Sequence, residues 1–68
     1  MERTINEIYK EILEMRDKAK ERYDVSCERY KKQQTEGNLA AVLTTEVRLD
    51  TLDNVIEMLE TSGVLEDV

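Results

Sequence analysis

Apolar residues recur at steps of three and four along nearly the whole chain, and one short stretch interrupts them. That spacing is the mark of amphipathic helix, and a single interruption allows two helices. In the first half, Ile5, Ile8, Ile12, Met15 and Ala19 share a face that Tyr23, Cys27 and Tyr30 continue, with Tyr9 on its flank. In the second half, Val42, Thr45, Leu49, Leu52, Ile56 and Leu59 form a heptad seam. Between them, Gln33-Gln34-Thr35-Glu36-Gly37-Asn38 is the one internal turn signal. The expected fold is all-α: a long helix over about 4–35, a second over about 38–62, and a short tail at 64–68. A short connection makes such helices antiparallel neighbours, so residues 1–68 read as one hairpin domain.

Local chemistry marks the ends. Thr4-Ile5-Asn6-Glu7 reads as a capping box, in which the Thr4 hydroxyl and the Glu7 carboxylate satisfy orphan N–H groups reciprocally. Gly37 is expected to supply the left-handed residue that closes the first helix, and Asn38 to cap the second. Gly63 is the expected terminator of the second helix, placing Val64 against Leu59. Asp24-Val25-Ser26, three poor helix formers in a row, mark where a kink or break in the long helix would fall. With the turn near Gly37, facing residues carry numbers that add to about 74. Ile5, Ile8 and Tyr9 would then overhang the end of the second helix.

A 68-residue hairpin has difficulty folding alone. A core of this size supplies about 3–5 kcal/mol at most, so small chains recruit disulfides, metals or copies of themselves. The chain has one cysteine, Cys27, and no histidine, so neither an internal disulfide nor a structural zinc site is available. Self-association remains. The second helix points the same way, because Val55 broadens its apolar arc, and Ala40, Val47 and Met58 lie well off that arc and make the helix apolar on several sides. One partner helix cannot cover that much circumference. The expectation is a homo-oligomer, a dimeric four-helix bundle or a higher even state. Ile5, Ile8, Tyr9, Ile12, Val47, Val55 and Met58 are the candidate interface.

Charge is distributed unequally. Residues 1–34 hold nine basic and eight acidic side chains; residues 35–68 hold Arg48 against eight acidic ones. Glu46, Asp50, Asp53, Glu57 and Glu60 run as one acidic stripe at steps of three and four. Four adjacent like-charge pairs cost about 1–2 kcal/mol in an isolated helix. Arg16, Lys20 and Arg22 on the first helix are candidates to offset it. The alternative is that the stripe docks on a basic protein surface or imitates a phosphate backbone.

Several functions are disfavoured. Without histidine there is no imidazole base or nucleophile–histidine relay, and two isolated glycines make no phosphate-cradling loop. Five carboxylates spread along a regular helix do not converge on a metal ion. No enzymatic activity, cofactor or metal is expected, and Cys27 on the packed face reads as a small hydrophobe. A net charge of −6 and alternating signs on the first helix argue against nucleic-acid binding, and no basic amphipathic face suits a membrane surface. The lone thiol and the absence of an apolar run after Met1-Glu2-Arg3-Thr4 fit a cytoplasmic protein.

The leading expectation is a non-enzymatic acidic oligomer that binds and inhibits a macromolecular partner, a protein with a basic surface, through the stripe Glu46, Asp50, Asp53, Glu57 and Glu60. In size, charge and shape such a chain is similar to small phage-encoded accessory and anti-defence proteins. A second reading is an oligomeric sponge for a small nucleotide-like ligand, with Tyr9, Arg16, Lys20, Tyr23 and Tyr30 lining pockets between subunits. Phage proteins that sequester cyclic nucleotides share that architecture. A third is a structural assembly hairpin.

Overall fold

A computed structural model describes residues 4–65. Two helices, α1 (Ile5–Lys32) and α2 (Glu36–Ser62), pack against each other as a hairpin, with no strand among the described residues. The molecule is a rod, 46 × 23 × 18 Å, with a radius of gyration of 15.3 Å. A compact domain of this length would have a radius near 11 Å.

Each helix starts on a threonine. Thr4 is extended and its Oγ accepts the Glu7 N–H at 3.2 Å, which is one half of the expected capping box; among the described residues the Glu7 carboxylate makes no return bond to the Thr4 N–H. Glu7 near the start and Arg29, Lys31 and Lys32 in the last turn all suit the helix dipole. α1 runs unbroken through Asp24-Val25-Ser26, with Ser26 buried rather than at a kink.

The turn lies earlier than the glycine suggested. Thr35, not Asn38, caps α2, its Oγ accepting the Asn38 N–H at 3.1 Å. Asn38 instead donates from its side-chain amide to the Gln33 carbonyl at 2.7 Å, bracing the turn from inside the new helix. Gly37 is an ordinary helical residue in the first turn of α2 and closes nothing. The chain offered two capable caps three residues apart, and Thr35 wins because Asn38 then still serves as a second anchor. Gly63 does end α2 in the left-handed conformation, φ 77°, while Val64 stays 49% exposed.

Moving the turn to Gln33–Thr35 resets the register. Arg16 meets Asp53, numbers that add to 69 and not to 74. Helices of 28 and 27 residues then run side by side over their whole lengths. The expected overhang of Ile5, Ile8 and Tyr9 does not exist: Ile5 and Tyr9 are half-buried along the seam.

The seam of α2 is the expected one. Val42, Thr45, Leu49, Leu52 and Leu59 are half-buried and Ile56 is 4% exposed. Thr45 tolerates this position because its hydroxyl donates to the Ala41 carbonyl at 2.8 Å, leaving the methyl to pack. In α1 the packed set differs from the expected stripe. Ile5, Ile12, Ala19 and Ser26 form a central line, and Tyr9, Arg16, Tyr23 and Tyr30, each four residues further on, complete the contact with α2. The alternative flank of the same central line, Ile8, Met15, Arg22 and Arg29, is left exposed, Ile8 by 38% and Met15 by 45%.

The core is thin. Ala19 and Ile56 are its buried apolar residues, and no described side chain is fully enclosed. The accessible surface is 5660 Å². A compact monomer of the same 8.0 kDa would expose about 4,450 Å².

Candidate interaction surface

Two shallow clefts define the two broad faces of the hairpin. On one face, Arg16, Asp17 and Lys20 of α1 line a cleft with Leu49 and Asp53 of α2. On the other, Glu21, Arg22, Val25, Ser26 and Arg29 of α1 line a cleft with Thr45. Helical spacing assigns the remaining side chains to these faces.

The acidic stripe belongs with the first face. Asp53 opens onto its cleft, and Glu46, Asp50, Glu57 and Glu60 lie within a turn or two of it on the same side of α2. All five are exposed. Arg16 reaches Asp53 at 3.8 Å while also lying 3.6 Å from Asp17, so its charge is shared between two exposed carboxylates. An exposed pair of this length contributes little, about 0–1 kcal/mol. Lys20 lines the same cleft. Arg22 lies on the opposite face, so it does not answer the stripe. Among the described residues, Asp50, Glu57 and Glu60 have no cationic partner. Glu60 also sits in the last turn of α2, where no basic residue is present and the helix dipole disfavours a negative charge. Internal pairing therefore offsets a small part of the strain.

Beside the stripe runs a ridge not anticipated from the heptad pattern. Leu39, Leu43 and Val47 succeed one another at steps of four and are 40%, 53% and 65% exposed. Leu43 precedes Glu46 by three residues and Asp50 by seven, so the ridge borders the carboxylates directly. The step of four was the available signal, and the stronger step of three and four in the seam masked it.

The tyrosines do not make a pocket in the hairpin. Tyr9, Arg16, Tyr23 and Tyr30 follow one another every seven residues along the seam. Tyr9 and Tyr30 are therefore about 30 Å apart along the axis. Tyr23 is the one with a distinct environment. A side-chain hydrogen bond with Cys27 raises its pKa above the ordinary tyrosine value, and the negative charges of Glu46 and Asp24 add to the shift. Cys27 is half-buried and free.

Among the described residues no group of three or more His, Cys, Asp or Glu side chains could hold a metal ion, and no helix is long and apolar enough to cross a membrane. No protein-family model, curated protein or solved structure matches the chain.

Proposed function

We propose that the chain is a non-enzymatic interaction protein that acts as a homo-oligomer, in its simplest form a twofold dimer, and docks on a basic macromolecular partner through its acidic stripe. The observation that carries self-association is the thin core. Among the described residues two apolar side chains are buried and none is fully enclosed, so the hairpin lacks the apolar burial that offsets chain entropy. Its surface exceeds that of a compact monomer by about 1,200 Å², more than the ~800 Å² per partner of a standard interface.

The docking surface is supported by the stripe's unanswered charge and its apolar border. Among the described residues Asp50, Glu57 and Glu60 are exposed without cationic partners, and Leu39, Leu43 and Val47 run alongside. Exposed carboxylates steer a basic partner and select against acidic ones, while an adjacent apolar ridge supplies burial. Occlusion of a basic active surface would make such a protein an inhibitor.

Two measurements test this reading. Light scattering should give a mass that is a multiple of the 8.0 kDa chain, and a folded monomer would overturn self-association. For a captured partner, replacing Glu46, Asp50, Asp53 and Glu57 by the matching amides should weaken binding at least ~10-fold at low salt and flatten its salt dependence. Unchanged affinity and salt dependence would remove the stripe as the docking surface.

A further inference from the structure

The cleft on the face away from the acidic stripe gathers positive charge around a buried hydroxyl. Arg22 and Arg29 stand one heptad step apart on α1, about 10 Å along its axis. Both are exposed, and neither has an anionic partner among the described residues. Ser26 lies between them, and the three line a cleft of about 400 Å³ with Glu21, Val25 and Thr45. Ser26 is 9% exposed, a polar residue in the packed line of Ile5, Ile12 and Ala19. Among the described residues its hydroxyl has no hydrogen-bond partner, and it is not sealed from the cleft. A helical hydroxyl ordinarily returns its proton to the carbonyl one turn back, as Thr44, Thr45, Thr51 and Thr61 do. A buried donor without a partner is costly, and a ligand oxygen at this point would remove the cost. The neighbouring clefts lack the combination. In one, Arg16 is engaged by Asp17 and Asp53. In the other, Arg29 and Lys32 are accompanied by Asp24 and Glu28.

We propose that the Arg22–Ser26–Arg29 cleft binds the phosphoryl group of a small phosphate-bearing ligand. Two guanidinium forks flank one hydroxyl donor. That set matches a tetrahedral dianion with three free oxygens better than a carboxylate with two. Arg48 follows Thr45 by three residues, and the register sets it level with Glu21. It is likewise unpaired among the described residues, so α2 adds a further cation beside the cleft. Thr45 supplies no donor, because its hydroxyl is engaged by the Ala41 carbonyl at 2.8 Å. Val25, 50% exposed, offers an apolar wall to the remainder of the ligand. Glu21 is the one carboxylate in the lining and opposes the anion, which makes it a direct probe of the site. The assignment depends neither on self-association nor on the acidic stripe, which lies on the other face.

The test is isothermal titration calorimetry of the full chain at low ionic strength, with inorganic phosphate, ribose 5-phosphate and acetate as probes. At least one of the two phosphates should bind saturably with a Kd below ~10 mM, and acetate at least ~10-fold more weakly. Tighter binding of ribose 5-phosphate identifies an organic phosphate as the ligand, and affinity no greater than that of inorganic phosphate identifies the free ion; both support the site. Arg22→Gln/Arg29→Gln should weaken phosphate binding at least ~10-fold, and Ser26→Ala ~3-fold, with helicity by circular dichroism unchanged. Glu21→Gln should tighten binding ~3-fold, a gain that damage to the fold cannot produce. No saturable binding of either phosphate, acetate binding as tightly as phosphate, or unchanged affinity in the arginine or the serine variant overturns the proposal.

Discussion

The two helices of the hairpin are almost equal in length and opposite in design. α1 is strongly one-sided: its charges alternate around a single apolar arc, and both its ends suit the helix dipole. α2 is the more apolar and the less one-sided helix, carrying a seam, an exposed ridge and an acidic stripe around one axis. α1 behaves as a conventional surface helix whose arc is somewhat too wide for its partner. α2 behaves as a central element covered on one side. A hairpin made from such a pair is stable in one direction and open in another, which is why its surface exceeds that of a compact monomer.

The contrast should appear most strongly in the core. Ile56 is the most buried large side chain of α2, at 4% exposure, whereas its counterpart line in α1 is half-buried at Ile12. Ile56→Ala should lose about 2–5 kcal/mol in chemical denaturation at fixed protein concentration. Ile12→Ala should fall at or below the lower end of that range. Equal losses would mean that the two helices contribute alike to the core, and the comparison would fail.

A smaller effect separates Gly37, in the first turn of α2, from Gly63, which ends it. Gly63 holds φ 77° with nothing within 4 Å of where a Cβ would stand, so Gly63→Ala meets backbone strain alone. The expected cost is about 1–2 kcal/mol, read as a lower thermal midpoint. Gly37 is helical and a Cβ there would come no closer than 4.0 Å, to the Thr35 Oγ. Gly37→Ala should therefore raise stability by about 0.5–1 kcal/mol. A loss at Gly37 would return the turn to the glycine and restore the register near 74.

The smallest expected effect is electrostatic. Tyr23 of α1 is held above the ordinary tyrosine pKa chiefly by Cys27, then by the charge of Glu46 from α2. The folded state thus retains this proton more tightly than the unfolded chain. The associated stability is whole at neutral pH and is lost as pH rises through the folded-state value. In a chain with Tyr9→Phe and Tyr30→Phe, the tyrosinate absorbance should rise at a pH above that of free tyrosine. Cys27→Ala should move it back down, and Glu46→Gln should do so to a lesser degree. A Tyr23 indifferent to both changes would place Glu46 too far from α1 to sense it.

Much of the hairpin is legible in the residues. Periodicity, helix-forming composition and a single interruption lead to two antiparallel helices, and Thr4, Gly63 and the Val42–Leu59 seam all stand where local chemistry puts them. The acidic stripe is equally legible, because charge at steps of three and four needs only helical geometry. Its border of Leu39, Leu43 and Val47 emerges only when burial separates the seam from the ridge.

Tertiary structure alone decided two things. One is the turn: Thr35 and Asn38 can each cap a helix, and only the assembled loop, with Asn38 bonded to Gln33, shows which does. The register follows from it. The other is which flank of α1 faces inward. Ile8 and Met15 look better suited to a core than Tyr9 and Arg16, yet the latter pair packs. Periodicity defines an arc on a helix, whereas one neighbour covers only part of that arc. Which part is covered depends on the register and on the shape of the opposing seam, and neither is a local property of the chain.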